Sequence, residues 1–166
     1  MMDDYLVVVS GGGHSRFFTL ESAELPELES SPRLVECGKI LNPEKDVPGK
    51  ELYSDSKTGR GKAPGGGPSH GYDDHRSQHE DEFDRRFAKR IIDETKRLAR
   101  QKGSRRIIMV APAQMLGLLR QNMDAIQRPD LKVQELAKDM SKFTSEQIHN
   151  HLAKEGIIPP RKRPGT

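Results

Sequence analysis

Two hydrophobic rhythms alternate along the chain. Tyr5-Leu-Val-Val-Val9 and Arg105-Arg-Ile-Ile-Met-Val-Ala111 are short unbroken apolar runs, the pattern of strands covered on both faces. Ser15-Arg-Phe-Phe-Thr-Leu20 and Arg33 to Leu41 read as further strands, and Leu131 to Leu136 as a weaker one. Gly11-Gly12-Gly13 separates the first two runs and predicts a tight hairpin turn. A nucleotide-binding turn would need G-x-G-x-x-G and a following helix, and neither is present. The helical period appears three times. Phe83, Phe87, Ile91 and Leu98, widened by Ala88 and Ile92, share one face of a helix starting near Asp74–Gln78 and running to about Lys102. Glu80, Asp81, Glu82 and Asp84 load its start and Arg97, Arg100 and Lys102 its end, as the helix dipole favours; Gly103 is the stop. Pro112 opens a second helix through Met115, Leu116, Leu118, Leu119, Met123 and Ile126, broken by Arg128-Pro129-Asp130. Thr144-Ser-Glu-Gln147 has the form of a capping box, and the helix after it carries Ile148 and Leu152 as far as Gly156.

The resulting order is β-β-β-α-β-α-β-α. It predicts an α/β fold with a ribonuclease-H-like mixed five-stranded sheet flanked by helices, opening as an antiparallel meander. From Tyr53 to Glu82 there is no Val, Ile, Leu, Met or Phe, but six glycines, two prolines and three histidines. Such a stretch cannot bury enough apolar surface to offset the entropy of ordering. A mobile Gly/His-rich loop over 53–78 is therefore expected inside a single domain of residues 1–156. Residues 157–166, with Pro159-Pro160-Arg-Lys-Arg-Pro164, are expected to be a basic disordered tail.

Composition agrees with a small core. Of 166 residues, 33% are hydrophobic and 32% charged, where a globular domain has roughly 45–50% apolar residues with glycine included. No apolar run approaches the roughly 18 residues of a membrane span. The acidic opening Met-Met-Asp-Asp-Tyr5 is unlike a secretory signal. A cytoplasmic protein without membrane contact is the expectation. The single cysteine, Cys37, excludes an internal disulfide and a Cys-based zinc site. It is expected in a strand, buried or half-buried, with no chemistry.

A nuclease of ribonuclease-H-like architecture holds divalent metals on acids of its central strands. Neither Tyr5–Ser10 nor Arg105–Ala111 contains an acid, so metal-dependent chemistry is disfavoured, and no metal and no cofactor is expected. His75 and His79 have a metal-compatible spacing, and His70 is near in sequence, but no third ligand is evident and a water-facing pair is expected. His149 and His151 are two apart on a helix and face different sides. Charge is uneven: between Lys57 and Arg106 there are 14 Lys/Arg against 8 Asp/Glu. Lys57, Arg60 and Lys62 precede Gly65, Gly66 and Gly67. Basic side chains neutralise phosphates and glycine lets the main chain approach closely, so such a loop suits a phosphate backbone. A merely solvated face and a merely soluble loop would have the same composition.

Several strings together resemble the bacterial host attachment protein family. They are Val7-Val-Val-Ser-Gly-Gly-Gly-His-Ser-Arg-Phe-Phe18, Tyr53-Ser-Asp-Ser-Lys-Thr-Gly-Arg60 with the glycines after it, His79 to Arg90, Ile107 to Arg120, and Glu135 to Thr144. They run collinearly over nearly the whole chain. The resemblance departs at Gly11, where an acidic residue is common in that family. Through it the chain also resembles the middle domain of archaeo-eukaryotic release factors and Pelota. There a basic loop carrying Gly-Gly-Gln precedes a long helix, reaches the peptidyl transferase centre and promotes hydrolysis of peptidyl-tRNA. The matching segment here is Lys57 to Gly67, and Gly67 stands where the glutamine would be. The resemblance thus implies a translation-associated factor that binds the ribosome or tRNA, and not DNA, through Lys57, Arg60, Lys62, Gly65, Gly66 and Gly67. Peptidyl-tRNA ester hydrolysis is the reaction it would imply, but no catalytic residue is assigned. The alternative is a cytoplasmic interaction protein that influences host attachment indirectly, without enzymatic activity. A small metal-dependent hydrolase using the histidine-rich loop has the least support.

Overall fold

The computed structural model describes residues 4–25, 27–43 and 69–163, with the backbone alone for 69–80. Three strands come first: β1 (Tyr5–Ser10), β2 (His14–Glu21) and β3 (Arg33–Leu41). Helix α1 (Ser69–Lys102) leads to β4 (Arg106–Ala111), α2 (Ala113–Gln121) and a 3-10 turn (Met123–Ile126). Strand β5 (Lys132–Ala137) and helix α3 (Ser145–Lys154) complete the order. The sheet runs β3-β2-β1-β4-β5. Strands β1, β2 and β3 form an antiparallel meander, while β4 pairs parallel with β1 and β5 parallel with β4.

The unbroken apolar runs are explained by helices on both faces. Leu6, Val8, Phe17, Ile107 and Met109 pack against Phe87, Ile91, Ile92 and Leu98 of α1 and Leu116 and Leu119 of α2. Val7, Val9, Phe18, Leu20, Ile108 and Val110 pack on the other side with Ile148 and Leu152 of α3, Met140 and Ile158. Successive strand residues face opposite sides, so each central strand serves two cores. Each such side chain, removed from water, contributes roughly 1.5–3 kcal/mol. Cys37 is half-buried in β3, and burial pushes its thiol pKa up.

Three expectations are corrected. The long helix begins at Ser69, so residues 69–78 are helical and not loop. Helical hydrogen bonds within the segment satisfy its backbone without an apolar stripe. Its first turn then holds no acid, while Arg100 and Lys102 do sit in the last; Glu82 pairs instead with Arg85 and Arg86. The expected single helix from Pro112 to Ile126 is two pieces. Asn122 interrupts it: its N–H bonds to Leu119 O at 3.0 Å and its side chain to Leu118 O at 3.4 Å, tightening the chain into the 3-10 turn. Finally, residues 157–163 are packed. Ile158 is buried, Arg161 pairs with Glu146 at 2.8 Å, and Lys162 bridges backbone to backbone with Ser31. An apolar anchor, an ion pair and a backbone bridge together outweigh a composition that reads as a tail.

The capping box at Thr144 is present. Its hydroxyl accepts from Gln147 N at 3.1 Å, and the Gln147 side chain accepts from Thr144 N at 2.9 Å. Gly103 and Gly156 take positive φ of 69° and 78° just beyond α1 and α3, the left-handed conformation that ends a helix at low cost.

Candidate functional site

Ligands of open α/β sheets gather at the carboxyl ends of the parallel strands. Here those ends are Ser10, Ala111 and Ala137. The β1–β2 turn and the β5–α3 connection meet above them. Gly11 N–H bonds to His14 O at 2.9 Å and closes the turn. Ser10 and Ser15, both fully buried, join hydroxyls at 2.8 Å beneath it. Asn42, also fully buried, follows β3 and ties to the same turn: its N–H bonds to Gly13 O at 2.9 Å and its amide to Gly12 O at 3.1 Å.

Two residues of β2 reach across to the β5–α3 connection. His14 Nε2 donates to Ser141 O at 3.0 Å; since a carbonyl only accepts, that nitrogen carries the proton. Arg16 Nη1 donates to Phe143 O at 2.6 Å. Its Nε and Nη2 hold Glu36 Oε1 on β3 at 3.2 and 2.9 Å, and its guanidinium lies 4.9 Å from the Phe18 ring. Asp139 Oδ1 accepts from Ser141 Oγ at 2.7 Å and from Ser141 N at 3.1 Å. The Ser141 hydroxyl, then its N–H, Lys142 and His14, hold the Asp139 carboxyl below its ordinary range.

These contacts set the chemistry. Ser141 gives its proton to a weakly basic carboxylate, and His14 is spent on a carbonyl. Among the described residues the buried Ser141 hydroxyl is therefore paired with the Asp139 carboxylate and not with an imidazole, the usual activating base of a nucleophilic serine. Among the described residues no three His, Cys, Asp or Glu side chains converge as metal ligands. Strands β1 and β4 carry no acid. The cluster is a clasp that holds residues 139–143 onto the hairpin.

Lys57, Arg60, Lys62, Gly65, Gly66 and Gly67 lie outside the described residues. His70, His75 and His79 lie in the first turns of α1, where the backbone alone is described. His149 is buried and bonds Pro159 O through Nε2 at 2.8 Å, while His151 faces Glu155 at 3.6 Å, so the two histidines do point apart. Sequence reasoning missed the clasp. One local signal was there: His14 and Arg16 are two half-buried cationic-type side chains two residues apart, hence on one face of an otherwise largely buried strand. No helix among the described residues is long and apolar enough to cross a membrane.

Fold and site together define a mixed α/β domain whose central strands β1 and β4 carry no acid and, among its described residues, a structural clasp at the carboxyl edge. Over residues 6–152 the sequence matches the family model described as "Protein required for attachment to host cells", and the chain belongs to that family. No curated protein matches it.

Proposed function

We propose that this is a ribonuclease-H-like, release-factor-related binding protein of the cytoplasm that associates with the ribosome or tRNA. In this reading Lys57, Arg60 and Lys62 contact phosphates, and Gly65, Gly66 and Gly67 let the backbone come close. The observation that supports it is how the described residues on either side of 44–68 are held. Asn42, before it, is pinned to the β1–β2 turn by two hydrogen bonds. After it comes a helix of 34 residues, about 51 Å at 1.5 Å per residue. Arg90 of that helix bonds to Leu41 O at 3.0 Å, at the end of β3. The described residues that flank the segment are thus held together at the β3 edge of the sheet, and the sequence between them carries Lys57, Arg60 and Lys62 ahead of three glycines, a composition suited to a large anionic partner. Gly67 in place of glutamine, and the clasp without an activated nucleophile, favour binding over peptidyl-tRNA hydrolysis.

The test is sedimentation with ribosomes and a gel shift with tRNA across a salt series. The chain should bind at low salt. Replacing Lys57, Arg60 and Lys62 by alanine should flatten the log–log salt slope by about 2–3, near 0.7–0.9 per lost phosphate contact. Absence of both ribosome association and a tRNA shift at low salt defeats the reading.

The family description favours a second reading, an interaction protein needed for attachment to host cells without enzymatic activity. Cell fractionation separates a direct role from an indirect one: recovery on the outer surface makes it direct, recovery with the cytoplasm indirect.

A further inference from the structure

At the opposite, amino edge of the parallel strands lies a cleft of about 510 Å³. Its floor is two rows of side chains on the α3 face of the sheet. Tyr5, Arg106 and Lys132 are in register across β1, β4 and β5, and Ile108 and Gln134 form the next row. Helix α3 packs over β3 at the far side of that face, which leaves the β4–β5 side open, with Ile157 as a wall. Arg106 donates to Tyr5 Oη at 3.1 Å and stacks over its ring at 5.5 Å. No described carboxylate pairs with Arg106 or Lys132. Like charges directly opposite on adjacent strands repel, and an anion seated between them removes that cost.

The size of the cleft fits the roughly 300–1,000 Å³ of small-molecule sites, well beyond a bare phosphate. Two other basic cavities among the described residues do not compete. One beside Lys96, Arg100 and Arg128 has only about 100 Å³. In the other, of about 310 Å³, Arg161 is already neutralised by Glu146.

The geometry points to a binding site for a nucleoside monophosphate unit in this cleft, phosphate between Arg106 and Lys132, base against Tyr5 and Ile157. The Gln134 amide offers a donor and an acceptor to the edge of the base. The unit is a free nucleotide or the phosphorylated end of an RNA. The proposal stands apart from the function proposed for residues 57–67 and uses none of them.

The test is a titration of the full chain, followed by amide NMR, with adenosine monophosphate, adenosine and inorganic phosphate. Adenosine monophosphate should shift Arg106, Lys132 and Gln134 and bind at least about tenfold tighter than either fragment. Lys132→Gln, at an exposed position, should weaken it about tenfold, as should Arg106→Gln, with the His14 and Ser141 signals unmoved. A tetranucleotide with a 5′-phosphate binding tighter than the free nucleotide assigns an RNA end, and the reverse assigns the nucleotide. No shift at millimolar nucleotide, equal binding of phosphate alone, or unchanged affinity in both variants overturns the site.

Discussion

Gly11 lies so close to Ser141 that a Cβ on it would stand 2.7 Å from the Ser141 Oγ and 2.9 Å from its Cβ. Ser141 has no room to give, because it is buried and its hydroxyl is held by Asp139 at 2.7 Å. Gly11 does not take a positive φ. Space and not backbone conformation therefore requires glycine here. Gly11→Ala should lower stability by about 1–3 kcal/mol through overpacking, read by urea unfolding. Ser141→Gly in the same chain removes both crowding atoms and should recover part of that loss, so the double-mutant cycle is strongly non-additive. Simple additivity would show that the close approach is not the cause.

Arg16 is the second arm of the clasp. It joins three elements by donating to Phe143 O and to Glu36. Arg16→Gln leaves a carbonyl without its charged donor and should cost about 1.5–3 kcal/mol. Amide exchange at Lys142 to Thr144 should quicken, while the cores around Val8 and Phe87 keep their protection. Arg16→Lys restores the charge but not the planar fork, so it should recover only part of the loss. Unchanged exchange at 142–144 in Arg16→Gln contradicts this role.

Local patterns carried most of the fold. The valines of β1, the Ile-Ile-Met-Val of β4 and the Thr144 capping box each announce themselves within a few residues, and each is found where the pattern puts it. The clasp is different. His14 and Ser141 are 127 residues apart, and no window along the chain relates them. The start of α1 was hidden because residues 69–82 have no apolar stripe and helical hydrogen bonds leave no mark on composition. The order of residues 157–163 rests on Ile158, the Arg161–Glu146 pair, the Lys162–Ser31 bridge and the bond from His149 to Pro159 O, long-range contacts that the Pro-Pro-Arg-Lys-Arg composition does not reveal.

The capping box is a local device with a local test. Thr144 satisfies the third N–H of α3, and Gln147 returns the bond. Thr144→Ala should destabilise by about 1 kcal/mol, and Thr144→Gly by only a few tenths of a kcal/mol. Gln147→Ala also frees one exposed N–H, but it should cost less, since alanine's higher helix propensity offsets part of the loss. Thermal unfolding followed by circular dichroism checks the order. A loss in Thr144→Ala no larger than in Gln147→Ala would contradict it.

His149 makes stability depend on pH near neutrality. Burial, and then the charge of Arg161, push its pKa below the ordinary 6.5 against the opposing bond to Pro159 O. That bond fixes the proton on Nε2, and Nδ1 has no partner, so a second proton would enter a buried site without an acceptor. Arg33, Glu146 and Arg161 line the same cavity. The sign follows from linkage. Above pH 6.5 His149 is neutral in both folded and unfolded chains and costs nothing. Below it the unfolded chain takes up a proton that the folded chain refuses, so stability falls by up to about 1.4 kcal/mol per pH unit until the folded pKa is reached. Asp139 and Glu94 are held below their ordinary 3.8 and 4.5, so their contributions are lost only in stronger acid. His149→Gln keeps a donor for Pro159 O and removes the titration. Urea melts at about pH 7.5 and about pH 5.5 should show a drop in the native chain that shrinks in this variant. An equal drop in both would place the neutral-range pH dependence on other histidines.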